Sequence, residues 1–271
     1  MWILNYINWN VSPEIFSFGS LQVRYYGLFF ATGFMISFYI VQKFYRDAAL
    51  DPNEVDKLTI YTVIGAILGS RLGHVFFYEP QYYLQNPSEI LMVWHGGLAS
   101  HGGAIGIIIS TYFYSVKQKR NYLWLLDRIA IPTALTGGLI RLGNLMNSEI
   151  YGHETSLPWG FIFERNMETT AKHPTQIYEA LAYFTLFGIL WMYYQNQKAK
   201  PYNGKILGLF FIITFGFRFI VEFIKNDQVI QEKDMLINIG QWLSIPVVIA
   251  GFFLFYRKST HNTYQILQNN E

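Results

Sequence analysis

The chain has no cysteine. That excludes a disulfide, a thiolate metal site and a cysteine nucleophile of its own, so any thiol chemistry must come from a substrate. Charge is also scarce. Only 14% of the 271 residues are charged, against about 25% in ordinary soluble domains. A soluble protein of this length needs more polar surface than that. The composition is 52% hydrophobic and 18% aromatic, with a mean hydropathy of +0.19. It is that of an integral membrane protein, which excludes a nucleic-acid binder, a disordered scaffold and a disulfide-stapled secreted domain. The net charge of +2 says little about partners. There is no internal repeat, low-complexity tract or domain linker. The first 20 residues lack a basic n-region and do not read as a cleaved signal peptide. Trp2, Tyr6 and Trp9 suit a membrane interface instead.

Crossing a bilayer takes roughly 20 apolar residues. Seven stretches qualify, at about 24–45, 57–78, 97–116, 123–146, 175–194, 205–225 and 237–256. The expected fold is therefore an all-α membrane domain of seven transmembrane helices, a single domain over 1–271. Basic residues orient it. One set of loops holds 11 of the 20: Lys43, Arg46, Lys57, Lys117, Lys119, Arg120, Lys198, Lys200, Lys205, Arg257 and Lys258. The opposite set holds only Arg165, Lys172, Lys225 and Lys233. The positive-inside rule then puts the N-terminus outside and the C-terminus in the cytoplasm. The one long polar outer connection, about 147–174, is expected to form a small external head.

The remaining five basic residues are all arginine and all fall within spans: Arg24, Arg71, Arg128, Arg141 and Arg218. A charge at the bilayer centre costs at least about 2.5–3.5 kcal/mol, so each needs a partner. Arginine offers a planar, permanently charged fork that fits phosphate or carboxylate. At 1.5 Å per residue, Arg71 and Arg218 lie about 20 Å along outward-running spans. Arg141, Tyr26, His101, Gln176 and Glu179 also fall near outer ends. This convergence suits an anionic lipid headgroup better than a through-going ion path. Plainer readings stand beside it. Arg218 and Glu222, at i and i+4, can neutralise each other. Arg128, beside Asp127, can snorkel to the interface, and Arg24 can anchor its helix. Arg71 lies in Gly-Ser-Arg-Leu-Gly, where it can contact a headgroup or bridge two helices.

Four segments carry chemistry. Residues 96–106 frame His101 with five glycines, which let a backbone or a ligand come close. Histidine can act as a base near neutral pH, or can serve as a plain hydrogen-bonding group. Residues 141–152 read Arg-Leu-Gly-Asn-Leu-Met-Asn-Ser-Glu-Ile-Tyr-Gly. Here Arg141, Asn144 and Ser148 can share a helix face if the helix lasts that long. Asn144 and Asn147 can hold a phosphate-ester or carbonyl oxygen, and Glu149 can orient an arginine or a hydroxyl. The bland alternative is a polar helix end that caps itself. Residues 173–179, His-Pro-Thr-Gln-Ile-Tyr-Glu, open a helix with proline pre-organised for its start. The fourth segment is 216–223, around Arg218 and Glu222. No metal site is expected, because His74, His95, His101, His153, His173 and His261 show no ligand-pair spacing.

With Tyr25-Tyr26-Gly27 and the Gly-Gln-Trp-Leu-Ser-Ile-Pro of 240–246, these segments resemble the bacterial prolipoprotein diacylglyceryl transferases over about 13–256. The most specific part is 141–152, which looks like the family signature. Ile140 stands where the family usually has Gly, Leu145 where it has Phe, and Thr175 where it has Ser. These changes keep every charged or amide group. The resemblance implies a transferase in the bacterial plasma membrane, with seven spans and an outward-facing site. Such enzymes move diacylglyceryl from phosphatidylglycerol to the lipobox cysteine thiol of a prolipoprotein, and glycerol phosphate leaves. It implies no cofactor. Its partners are phosphatidylglycerol, the prolipoprotein signal-peptide region and membrane lipids, with no nucleic acid. It also implies His101 as general base, with Arg141 and Arg218 on the phosphate or ester region. In the alternative, His101 only positions lipid and the arginine field lowers the thiol pKa. Tyr26, Arg71, Asn144, Glu149, Gly152, Gln176, Glu179 and Glu222 would bind or orient the headgroup. The rival classes are a transporter or flippase for an anionic lipid, which would want polar groups through both bilayer halves, and a non-catalytic lipid-binding scaffold.

Overall fold

A computed structural model describes residues 6–19, 21–196, 204–226 and 236–257. Trp2, Lys198, Lys200, Lys233, Lys258 and His261, all used above, lie outside them. The chain is mostly helical. In order it forms strands β1 (Ile7–Trp9), β2 (Glu14–Phe18) and β3 (Leu21–Arg24), then helices α1 (Tyr25–Asp47), α2 (Glu54–Phe77), α3 (Pro80–Gln85), α4 (Ser100–Lys117) and α5 (Tyr122–Met146). Strand β4 (Phe161–Phe163) follows, then α6 (Thr175–Asn196), α7 (Lys205–Val221) and α8 (Ile239–Tyr256). Helices stand at all seven expected positions. Among the described residues, five are long and apolar enough to cross a membrane: α1, α2, α5, α7 with its following turn, and α8. Large apolar side chains point outward along them, such as Ile64, Leu68 and Phe76 on α2 and Ile249 and Phe253 on α8. That inversion of the soluble pattern is what a hydrocarbon solvent permits.

Two short sheets amend the all-α expectation. β1 pairs in parallel with β4, and β2 pairs antiparallel with β3. Trp9 is therefore a packing residue rather than a surface anchor. Its Nε1 donates to the Leu145 carbonyl at 3.0 Å, and its ring lies 5.4 Å from that of Phe161. Arg24 ends the hairpin instead of anchoring a helix, and its guanidinium lies 3.7 Å from Glu14.

The described residues divide into two compact units, one within 1–40 and 126–261, the other within 41–125. In the second unit, α2 packs against α4 backbone to backbone. Gly65, Gly69 and Gly73 face Gly102 and Gly106, and a Cβ at Gly73 would lie 2.8 Å from the Gly102 Cα. A buried polar staple closes the other end of this pair. Tyr45 and Tyr114 share a hydroxyl–hydroxyl hydrogen bond of 3.1 Å, and Arg120 forks onto Glu54 at 2.7 and 3.3 Å.

In the first unit, Ser37 of α1 bonds Thr136 of α5 at 2.8 Å beside Gly33, where a Cβ would lie 3.0 Å from Thr136. Asp127 is fully buried and caps α7 from a distance. Its carboxylate accepts the backbone N–H groups of Gly204 and Leu207, both at 2.8 Å. These donors have no partner within their own helix. Arg128 is buried as well, at 5% exposure, so it does not snorkel to an interface. Asp127→Ala should cost about 1–2 kcal/mol, the range for a lost cap, read as a lower melting temperature in detergent. Asp127→Asn, which keeps an acceptor, should recover part of it. An unchanged melting temperature in Asp127→Ala would remove the cap as a source of stability.

Candidate active site

In the first unit the site grows from the C-terminal end of α5. The helix stops at Met146, earlier than a shared face for Arg141, Asn144 and Ser148 requires. Ser148 and Ile150 both take positive φ, at 54° and 61°, and the chain turns back on the helix. Glu149 N–H donates to the Asn144 carbonyl at 3.1 Å. This return brings the Glu149 carboxylate onto the Asn144 and Asn147 side-chain amides, at 2.7 and 3.1 Å. Asn144 in turn accepts from Arg141 Nη1 at 3.3 Å. Sequence distance therefore becomes a short relay, Arg141 to Asn144 to Glu149.

The first turn of α6 is stitched onto the same loop. Thr175 Oγ1 donates to the Ile150 carbonyl at 2.8 Å, and Gln176 Nε2 donates to the Glu149 carbonyl at 2.7 Å. Glu179, one turn on, is 1% exposed. Its two carboxylate oxygens lie 3.3 Å from Arg141 Nε and 3.5 Å from Lys225 Nζ. Lys225 also lies 3.7 Å from Glu222. The result is a row of alternating charge, Arg141, Glu179, Lys225, Glu222, with three of its four members at 7% exposure or less. Each isolated ion would cost several kcal/mol to bury, so the row holds only as a set.

Glu222 therefore pairs with Lys225, and among the described residues it forms no ion pair with Arg218. Arg218 Nε is buried without a hydrogen-bond partner among the described residues. Five other buried atoms share that condition on the segments singled out by sequence: Asn147 Oδ1, Ser148 Oγ, Gln176 Oε1, Glu179 Oε2 and Glu222 Oε2. The two glutamate oxygens sit at ion-pair distance without hydrogen-bond geometry. Native interiors leave few polar groups unsatisfied, so such a concentration marks a place built for something other than packing.

Gly152 and Tyr26 fit by closeness. A Cβ at Gly152 would strike the Ile224 carbonyl and lie 2.8 Å from the His173 Cβ, in the bridge that joins Gly152 to Lys225. Tyr26, in the first turn of α1, packs on Gly143, whose Cβ would lie 2.8 Å from the tyrosine ring. His173 lies outside the helices, where burial and the neighbouring His153 hold its imidazole below the ordinary value. It stays neutral at neutral pH and shares a 3.3 Å hydrogen bond with the Tyr178 hydroxyl.

His101 and Arg71 lie in the second unit. Arg71 is 3% exposed. Its guanidinium donates to the carbonyls of Ile90 at 3.0 Å, Gly96 at 2.6 Å, Gly97 at 3.3 Å and Glu89, and it stacks over Tyr83 at 4.9 Å. The interhelical bridge left open by the sequence gives way to a clamp on the loop that leads into α4. Of the glycines around His101, Gly102 and Gly106 are taken up by the α2 backbone and Gly103 by the Ser70 side chain, Gly97 lies against His74 and Arg71, and Gly96 has nothing within 4 Å of a Cβ. His101 itself, in the first turn of α4, is exposed.

Lys225 escaped the sequence reading, which counted it among the loop cations. Its position three residues after Glu222 was the available signal. Tyr183, whose hydroxyl bonds Arg141, carried no signal beyond lying one helical turn after Glu179.

A family model described as prolipoprotein diacylglyceryl transferase matches residues 13–257. The chain belongs to that family. Proteins named phosphatidylglycerol–prolipoprotein diacylglyceryl transferase are similar to it along almost their whole length. That of Tolumonas auensis is 46% identical, over 91% of this chain and 95% of its own. Those of Chloroherpeton thalassium and Bacteroides fragilis are each 44% identical, over 93% of this chain and 94% and 96% of theirs. In this prolipoprotein diacylglyceryl transferase family member, the match covers both the charged row and the His101 segment.

Proposed function

We infer that this chain is a diacylglyceryl transferase that uses phosphatidylglycerol and acts on prolipoproteins. The observation that carries the reading is 44–46% identity over more than nine-tenths of the chain to relatives bearing that name. In the reaction, the lipobox cysteine thiolate attacks the lipid glycerol carbon that bears the phosphate. A C–S bond forms and the C–O bond to phosphate breaks. The electron pair leaves with glycerol phosphate, and the thiol proton passes to a base. Two demands follow: a thiolate must form, and charge on the departing phosphate must meet preorganised donors.

His101 takes the thiol proton. Arg141 and Arg218 face the phosphate and ester region, which suits the planar fork of arginine and the unpartnered Nε of Arg218. Tyr26, Asn144, Glu149 and Gln176 orient the headgroup. Glu179 and Glu222 set the charge of the row, Gly152 gives it close backbone approach, and Arg71 serves through the loop it clamps. The proposed arrangement is one domain of seven spans in the bacterial plasma membrane, N-terminus outside, with the 147–174 head and the active site toward the outer leaflet. No metal or cofactor takes part. The partners are phosphatidylglycerol and the lipobox region of a prolipoprotein, within membrane lipid.

The test combines purified protein, phosphatidylglycerol and a lipobox peptide with one cysteine, read by peptide mass. A gain of one diacylglyceryl unit, absent with a Cys→Ser peptide, is expected. No gain, with lipid binding intact, would favour a transporter, flippase or scaffold instead. His101→Gln should lower turnover by about 100-fold or more, the contribution of a positioned base, while phosphatidylglycerol still binds. Turnover above a tenth of normal would take the base role from His101.

A further inference from the structure

We propose that Tyr78 is a positioning residue for His101, and this rests on the role given to His101 above. Tyr78 is the residue that closes α2, its N–H donating to the His74 carbonyl at 3.0 Å. Its ring stacks with two imidazoles. That of His74 lies 5.4 Å away and nearly parallel, at 12°. That of His101 lies 5.7 Å away at 28°. Phe77 meets His101 edge-on, at 5.9 Å and 67°. Among the described residues His101 has no hydrogen bond or ion pair, so these two rings define its plane.

The far side of the stack is fixed. His74 lies 3.7 Å from Glu79, and the loop before α4 is pressed against it: a Cβ at Gly97 would lie 2.7 Å from His74 Cδ2 and 2.8 Å from Arg71 Nη1. Arg71 holds that loop through its carbonyls, and Ala99 N–H donates to the Ser70 carbonyl at 3.0 Å. The end of α2 and the start of α4 are thus clipped together just where the two rings meet.

The chemistry explains why a ring plane matters. The lone pair of an imidazole lies in the ring plane, so rotation about the Cβ–Cγ bond swings it away from a proton it must accept. An exposed histidine without hydrogen bonds would sample those rotations. Stacking with a neighbouring π-face favours one plane, and holding a reacting group in its productive geometry is a large part of enzymatic rate. The contact needs the ring of Tyr78, not its hydroxyl.

Tyr78→Ala and Tyr78→Leu should each lower kcat about tenfold, the scale of one lost aromatic pair. KM for phosphatidylglycerol should stay within about twofold, and Tyr78→Phe should restore turnover. A raised KM at normal kcat would make Tyr78 a lipid contact and overturn the proposal. So would full kcat in the alanine and leucine variants, or a phenylalanine variant as slow as alanine. The unmodified protein gives a check independent of folding. The His101 ring protons, assigned by their loss in His101→Gln, should resonate upfield of free imidazole through the Tyr78 ring current. An unshifted signal rejects the stack. The two readings separate: a fully active His101→Gln removes the base role, whereas an inactive one beside a fully active Tyr78→Ala removes only the positioning.

Discussion

Arg141→Lys should lose at least about 100-fold in turnover while the protein folds and melts much as before. The substitution keeps the positive charge, so Glu179, at 1% exposure, is not left alone in the interior. What it removes is the fork. Arg141 now directs Nε toward Glu179 at 3.3 Å and Nη1 toward Asn144 at 3.3 Å. Five N–H donors in a fixed plane let one side chain hold these partners and still face a phosphate. A lysine ammonium can sit by Glu179 or by a ligand, but its three donors spring from one atom. The loss of one preorganised donor to a developing anion typically costs 10²- to 10³-fold.

The measurement is turnover in the lipobox-peptide assay at saturating phosphatidylglycerol, beside a melting curve. Turnover within about threefold of normal would take Arg141 out of the reaction. A melting temperature that collapses with activity would instead make Arg141 a structural member of the charged row. Glu179 separates these cases further. Its loss strands Arg141 and Lys225 together, so Glu179→Ala should unfold the row, whereas Arg141→Lys should not.

How much of this was legible in the sequence depended on the range of the interaction. Helix positions were readable because hydropathy is a local quantity, and so was the importance of Arg141, Asn144 and Glu149, which lie within nine residues of one another. The turn that makes them a relay was not readable, since it rests on positive φ at Ser148 and Ile150, two residues with no glycine-like signature. The partner of Glu222 was hidden for a similar reason. Helical spacing offered Arg218 at i−4, but the helix gives way to a tighter turn at Glu222–Ile224 and brings Lys225 round instead. The β1–β4 pairing joins residues more than 150 positions apart, and no local pattern announces it. The relation of His101 to Tyr78 was hidden in the same way, because it depends on how the loop between α2 and α4 closes.

The glycines around His101 show the limit most clearly, and they lead to the other large expected effect. Glycine in a helix reads the same in sequence whether it makes room for a ligand, for a backbone or for nothing. Gly106→Ala should destabilise the protein severely, by about 2–3 kcal/mol or more, the upper range for overpacking. Its Cβ would run into the Gly65 carbonyl oxygen and lie 2.9 Å from the Gly69 Cα. These are backbone atoms of α2, so no side chain can rotate aside, and the two helices must separate along their whole glycine contact. Gly188→Ala on α6 is the matched control. A Cβ there meets nothing within 4 Å, so the change should be neutral or stabilising by up to about 1 kcal/mol, because alanine is the better helix former. Thermal unfolding in detergent, with the yield of monodisperse protein, measures both. Equal melting temperatures for the two variants would mean that α2 and α4 do not touch through their backbones, and the glycine frame would again be free to serve a ligand.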